Sequence, residues 1–120
     1  MKHHRMSILI TDDHEVVRSG IRSYLEKISD FQVVGEASSG EETLSMVAEL
    51  IPDIVLLDLI LPGMDGISFL DQVVQRWPHM ADRLVLTTGT DQPAPTAVRM
   101  LRKPFDRARL LDALALGERR

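Results

Sequence analysis

The sequence predicts an α/β fold, a mostly parallel sheet with helices on both faces. Three observations carry that prediction. Short, continuous apolar runs such as Ile8-Leu9-Ile10 and Ile54-Val55-Leu56-Leu57 recur along the chain, and they are too uniformly apolar for strands with one wet face. Amphipathic segments of helical period alternate with these runs, which is the pattern of βα units. Several of the runs end in polar side chains: Asp12-Asp13, Asp58, Thr87-Thr88 and Lys103. Ligands of open α/β sheets bind beyond the carboxyl ends of the strands, so these endings mark the candidate site.

Ser7–Thr11 reads as the first strand, buried on both faces. Glu15–Ile28 follows as a helix with Val17, Ile21, Tyr24 and Ile28 at helical spacing, entered near Asp13 or His14 and broken by Ser29-Asp30. Gln32–Glu36 is the second strand. Ser38-Ser39-Gly40-Glu41-Glu42 supplies a cap with acids in the first turn, suited to the positive end of a helix reaching about Leu50. Ile51-Pro52-Asp53 stops that helix, and Ile54–Leu57 is the third strand, ending on Asp58. Pro62-Gly63-Met64-Asp65-Gly66 reads as a turn, because Pro and Gly supply its special backbone angles.

Ile67, Leu70, Val73 and Val74 form the apolar stripe of a third helix, closed by Trp77-Pro78. Arg83–Thr88 and Ala97–Arg102 are the fourth and fifth strands, and Arg107–Leu116 is a terminal helix with Leu110, Leu111 and Leu114 inward. Only the nine-residue segment Gly89–Ala97, containing Pro93 and Pro95 and running into the first residue of the fifth strand, joins the last two strands. A parallel crossover usually needs roughly 10–12 residues or more, and the prolines forbid a regular helix. The fourth helix is therefore expected to be missing or irregular. A flavodoxin-like, doubly wound five-stranded sheet of order 2-1-3-4-5 places strands one and three side by side. That order brings Asp12, Asp13 and Asp58 together.

Composition narrows the function. One hundred and twenty residues suffice for one domain, 1–120, with a single sizeable core. With 44% hydrophobic and 27% charged residues the chain reads as an ordinary soluble protein. Fourteen basic against eighteen acidic residues give a net charge of −4, which argues against nucleic acid or an anionic membrane as main partner. The absence of cysteine excludes disulfide and thiolate chemistry and fits a reducing cytoplasm. No apolar stretch approaches the roughly 20 residues that span a bilayer, and Met1-Lys2-His3-His4-Arg5 lacks the apolar segment of a secretory signal. His3-His4 reads as a frayed terminus, not a metal site. Met6, Met46, Met64, Met80 and Met100 read as core filler.

Each strand ending has an unremarkable reading when taken alone. Two acids after a strand are more often a turn or cap than a metal site, and Asp58 is a good cap in any loop. Thr87-Thr88-Gly89 could merely close a strand, Lys103-Pro104 could be a surface lysine before a turn, and His14 and His79 read as surface or cap residues. The joint pattern is harder to dismiss. Acids end strands one and three, a hydroxyl ends strand four and a lysine ends strand five, all on one sheet edge. Carboxylates crowd together in this way only when a cation holds them.

The arrangement Thr11-Asp12-Asp13-His14, Asp58-Leu59-Ile60-Leu61-Pro62-Gly63-Met64-Asp65-Gly66, Thr88-Gly89 and Lys103-Pro104-Phe105 resembles the receiver domain of two-component response regulators, over essentially the whole chain. Asp12-Asp13-His14-Glu15-Val16-Val17-Arg18 and Val33-Val34-Gly35-Glu36-Ala37 are similar to the branch that often carries a helix-turn-helix output domain. After Gly66 that likeness fades, and Thr88-Gly89 with Lys103-Pro104-Phe105 looks more like stand-alone or kinase-linked receivers.

The resemblance implies that Asp58 takes a phosphoryl group from a phosphohistidine on a sensor histidine kinase or a phosphotransfer protein. It implies Mg²⁺ held by the carboxylates of Asp12, Asp13 and Asp58 and by the Ile60 backbone carbonyl. Lys103 would be a point charge for one phosphoryl oxygen and Thr88 a hydroxyl donor to another. Thr87 competes for that role, and Thr88 is preferred because the small Gly89 follows it. A cis peptide before Pro104 would aim the lysine inward. The same resemblance implies a cytoplasmic signalling protein, not a turnover enzyme, with no direct contact to nucleic acid or membrane; a homodimer is left open.

The departures are Met100, three positions before Lys103 where the family usually has an aromatic, and the short Gly89–Ala97 loop. Two rivals stand beside the receiver. One is a receiver-like adaptor that is never phosphorylated. The other is a Mg²⁺-dependent phosphatase of the haloacid dehalogenase type, which wants a second acid two residues after its nucleophile, where this chain has Ile60. Ile60 offers no polar group to steer an attacking water, so the acyl phosphate should be long-lived. Ile60→Asn should speed its loss, measured as the decay of phosphorylated protein by intact mass; an unchanged decay rate would reject the idea.

Overall fold

The computed structural model describes residues 5–58, 60–61, 64–81, 83–88, 99–103 and 105–115. Strand β1 (Met6–Thr11) lies between β2 (Phe31–Ala37) and β3 (Ile54–Asp58). Two short strands follow, β4 (Ile60–Leu61) and β5 (Met64–Asp65), then β6 (Leu84–Thr88) and β7 (Arg99–Arg102). The sheet runs β2-β1-β3-β6-β7 with every pair parallel, while β4 and β5 pair separately and antiparallel. Helices α1 (Glu15–Glu26), α2 (Gly40–Leu50), α3 (Gly66–Arg76) and α4 (Arg107–Ala115) connect or follow the strands. No helix among the described residues is long and apolar enough to cross a membrane.

Continuous apolar strands are needed because both faces of the sheet are covered. Side chains alternate between faces along a strand, and two separate clusters result. Ile8, Ile10, Ile54, Leu56, Val85 and Leu101 pack with Ile21 and Leu25 of α1 and with Leu110 and Leu114 of α4. Leu9, Val55, Leu57, Leu84 and Leu86 pack with Val47 of α2, with Phe69, Leu70 and Val73 of α3, and with Met80 of the 3₁₀ turn Pro78–Met80. Fully burying one such side chain stabilises by about 1.5–3 kcal/mol.

The register of β1 against β2 slips between Ile8 and Leu9, where Val33 is followed by Gly35 as the next partner. A Cβ on Gly35 would stand 3.1 Å from Leu50 Cδ1 and 3.2 Å from Leu9 Cδ1. Glycine therefore lets α2 pack close to β2 at this irregularity.

Several expected elements shift. Helix α1 stops at Glu26, two residues before Ile28, because the amides of Lys27 and Ile28 bond to the carbonyls of Tyr24 and Leu25 in a tightened last turn. Its buried stripe uses Leu25, and the expected Tyr24 is instead 45% exposed. On α3 the expected Val74 is 38% exposed, and Phe69 is fully buried in its place. In both helices the packed stripe includes a large apolar residue that the assumed spacing skipped. Asp58 is the last residue of β3 itself and not the first after it. The turn expected at 62–66 spans Met64–Asp65 of β5 and Gly66 at the start of α3, with Pro62 and Gly63 outside the described residues. The irregular fourth helix was expected at 89–97, which also lies outside them.

Two caps fix the ends of α2. Ser39 is the N-cap and its hydroxyl accepts from the Glu42 amide at 3.2 Å, while the Glu42 carboxylate accepts from the Ser38 amide and hydroxyl at 2.7 and 2.8 Å. At the other end Ile51 adopts φ 48°, ψ 61° and donates its amide to the Val47 carbonyl. A β-branched side chain in this left-handed conformation costs roughly 1–2 kcal/mol. Because Ile51 is 67% exposed, little packing is lost on truncation. Ile51→Gly should raise stability by about 0.5–1 kcal/mol after the entropy of the freer unfolded chain is subtracted. Urea unfolding with an unchanged m-value would measure it, and destabilisation would contradict the strain.

Candidate functional site

The carboxyl ends of β1, β3, β6 and β7 meet at one edge because β1 and β3 are neighbours, with Thr11 opposite Leu57. The β1 end is tied down first. The Thr43 hydroxyl donates to the Ser39 carbonyl at 2.7 Å, so it accepts from the buried Thr11 hydroxyl at 2.8 Å. One residue on, the Asp12 amide donates to the Ala37 carbonyl of β2 at 3.1 Å. The loop into α1 therefore starts from a backbone held on two sides.

Asp12 is buried and its two carboxylate oxygens have different partners. Oδ1 accepts from the His14 amide at 2.9 Å, a turn closed by the aspartate side chain, and lies 3.1 Å from His14 Nδ1. Oδ2 accepts from Lys103 Nζ at 2.7 Å. Lys103 Nζ also donates to Asp58 Oδ2 at 3.3 Å, so one ammonium bridges the acids of two adjoining strands. Asp58 is itself only 7% exposed. The Asp13 side chain is more open, and its Oδ1 lies 3.1 Å from His14 Nδ1. Ligand atoms of Asp12, Asp13, His14 and Asp58 all lie within 4.8 Å of one another.

Lys103 is placed by the backbone: its amide donates to the Thr88 carbonyl at 2.6 Å, where β7 leaves β6. Thr87 and Thr88 are both buried at the end of β6. Thr87 is in register with Asp58, and Thr88 lies one step further toward the carboxyl edge, opposite Arg102. Ile60 lies in β4, paired with Asp65. Met100 lies in β7 in register with Leu86. The expected bond before Pro104 lies outside the described residues, as do Leu59 and Gly89.

The electrostatics follow from this geometry. Burial pushes the Asp12 carboxyl up, but the Lys103 hydrogen bond and charge and the His14 contacts outweigh it and hold the group below its ordinary value. Burial likewise pushes Lys103 down, and the Asp12 hydrogen bond with the Asp58 and Asp12 charges more than reverses it. Among the described residues, three carboxylates gather around one lysine, 3 − 1 = 2 formal negative charges in excess. The residues fit a hard divalent cation on both counts, oxygen donors and charge. Mg²⁺ bound there would be held by Asp12, Asp13 and Asp58.

Two side chains had no assigned part in the sequence reading. His14 is the N-cap residue of α1 and is mostly exposed, as a surface or cap residue should be, yet its ring stands between Asp12 and Asp13. Arg18, one turn into α1, reaches back to donate Nη1 to the Asp12 main-chain carbonyl at 2.6 Å and Nε to Glu36 Oε1 at 3.2 Å. An arginine one helical turn after a strand-end acid pair, with a glutamate near the end of the adjoining strand, was the available signal.

Residues 8–115 match the model of the response regulator receiver domain. The chain is 45% identical over 87 residues to the uncharacterized transcriptional regulatory protein YhcZ of Bacillus subtilis, covering 72% of this chain and 40% of that protein. It is 44% identical over 75 residues to the response regulator VraR of Staphylococcus aureus, covering 62% of this chain and 36% of that one. The solved receiver domain of a NarL response regulator from Mycobacterium tuberculosis superposes with a TM-score of 0.84 at 29% identity, over 98% of this chain and 99% of that one. The chain thus spans well under half the length of the curated relatives it matches.

The shifts in Asp12 and Lys103 set a pH window. The Asp12 carboxyl is held below its ordinary 3.8, so its contribution to stability is present above 3.8 and lost as pH falls through the folded value. Lys103 is held above its ordinary 10.5, so its contribution is present below 10.5 and lost as pH rises through the folded value. Lys103→Met should therefore cost about 1–3 kcal/mol near neutral pH in excess chelator. The difference from wild type should fade under acid as Asp12 is protonated. A pH-independent difference in urea unfolding free energy would contradict the pairing.

Proposed function

The chain belongs to the response regulator receiver family, and from that membership we propose that Asp58 is its phosphoacceptor, served by Asp12, Asp13, Thr88 and Lys103. The observation that carries the reading is Lys103, its Nζ 2.7 Å from Asp12 and 3.3 Å from Asp58, at a sheet edge that gathers three carboxylates. The protein is a phosphoacceptor receiver domain of a two-component system, and its donor is a phosphohistidine on a sensor histidine kinase or a phosphotransfer protein.

Lys103 orients the Asp58 carboxylate through Oδ2, and a carboxylate oxygen of Asp58 attacks. That oxygen forms the O–P bond in line as the P–N bond to the donor imidazole breaks, and the imidazole keeps the electron pair. The Asp12, Asp13 and Asp58 carboxylates and the Ile60 carbonyl would hold Mg²⁺, which when bound would supply charge neutralisation on the phosphoryl oxygens. Lys103 is already anchored on Asp12 and turns its remaining protons to one phosphoryl oxygen. The phosphoryl group extends outward past the Asp58 register. A hydroxyl one step beyond, at Thr88, is better placed to meet it than Thr87, which is level with Asp58. Movement of Thr88 toward the phosphoryl oxygen then biases the neighbouring end of the sheet between two states.

This chemistry is confined to the protein's own phosphorylation and dephosphorylation, in the cytoplasm, with 1–120 acting as one receiver unit. In a longer regulator such as YhcZ, named for transcriptional regulation, DNA would be contacted by another domain, and phosphorylation could act through a homodimer of receivers.

Incubation with acetyl phosphate and Mg²⁺, read by intact mass, separates the readings. The proposal expects one added phosphoryl group, absent in Asp58→Asn, and roughly tenfold or slower labelling in Lys103→Met, a loss of one charge-assisted contact. Steady release of phosphate with no stable adduct would favour an aspartate-nucleophile phosphatase. No reaction at all would favour a phosphorylation-independent adaptor.

A further inference from the structure

We infer that Arg18 is a positioning residue for the cation-binding loop, a clamp that fixes the main chain of Asp12 so that Asp12 and Asp13 meet the metal already arranged. The inference rests on the metal reading above and adds a residue to it. The Arg18 side chain is only 16% exposed and uses its guanidinium fork in two directions. Nη1 donates to the Asp12 carbonyl at 2.6 Å, and Nε donates to Glu36 Oε1 at 3.2 Å. Glu36 is fixed in turn, since Arg22 Nη1 donates to its other oxygen and Arg22 Nε bonds to Glu26 at 2.9 Å. The arginine contacts, Arg22 first, hold the Glu36 carboxyl below its ordinary range, so it stays charged throughout the neutral range.

The Asp12 carbonyl is the hinge of the arrangement. It belongs to the peptide joining Asp12 to Asp13, so its orientation sets where both carboxylates point. The amide side of Asp12 is held by the Ala37 carbonyl of β2, and Arg18 holds the carbonyl side from α1. With both sides fixed, little ordering is left for the cation to impose, and ordering normally subtracts from affinity. Lysine cannot replace arginine here, because one ammonium on a flexible stem does not present two rigidly forked donors to a carbonyl and a carboxylate at once.

Positioning and plain charge make opposite predictions. A cationic side chain beside an acid cluster repels a divalent ion, so if charge alone mattered, Arg18→Met would tighten Mg²⁺ binding and Arg18→Lys would leave it unchanged. If Arg18 positions the loop, both variants bind Mg²⁺ about tenfold more weakly, the loss expected when one or two groups must be ordered on binding. The experiment is titration calorimetry with Mg²⁺ on wild type, Arg18→Met and Arg18→Lys, each confirmed folded by circular dichroism at the working temperature. Arg18→Lys keeps the charge and serves alone if Arg18→Met does not fold. As a second readout, labelling by acetyl phosphate at saturating Mg²⁺ should return to within about twofold of wild type, because the chemistry itself is untouched. Equal or tighter Mg²⁺ binding in the variants, with wild type binding normally, overturns the clamp and leaves the receiver reading intact. Failure of wild type to bind Mg²⁺ overturns the metal reading, and the clamp falls with it.

Discussion

Everything at the active edge depends on one ammonium group shared between two buried acids. Without Lys103, the buried Asp12 carboxylate would lose the contact that does most to offset its burial. With it, Asp12 stays ionised, and the same ammonium also reaches Asp58 Oδ2. The lysine in turn would be a costly buried cation without the acids. Each group makes the ionised form of the other tolerable, and the excess negative charge that remains is what a divalent ion requires.

The fold exists to make that meeting possible. Asp12 and Lys103 are 91 residues apart in sequence, so no local structure brings them together. Parallel pairing does so: β1 beside β3 aligns the first two acids, and β6 and β7 carry threonine and lysine to the same edge. Both faces of the sheet are sealed by apolar layers. The polar groups accordingly collect at the strand ends, where water and a phosphoryl donor can reach them.

Much of this was legible in the sequence, for identifiable reasons. Uninterrupted apolar runs such as Ile54–Leu57 can only be strands covered on both sides, and their terminal polar residues had to fall on one edge once strands one and three were neighbours. Less legible was anything set by the phase of a helix. Tyr24 and Val74 fit an idealised period as well as Leu25 and Phe69 do, and only packing against a particular sheet decides which side chains turn inward. Arg18 was illegible for another reason. Its partners are a main-chain carbonyl and a glutamate on another strand, and a surface helix with scattered arginines looks the same when no such partner exists.

The central claim is that a divalent ion binds among Asp12, Asp13 and Asp58 while Asp58 accepts the phosphoryl group. The most direct measurement is a crystal structure of the protein with Mn²⁺ and beryllofluoride, with the ion located by its anomalous scattering. The account predicts an anomalous peak among those three carboxylates, beryllofluoride on Asp58, and Lys103 Nζ on one of its fluorines. An ion bound elsewhere, or an unmodified Asp58 with Lys103 still spanning the two acids, would contradict it.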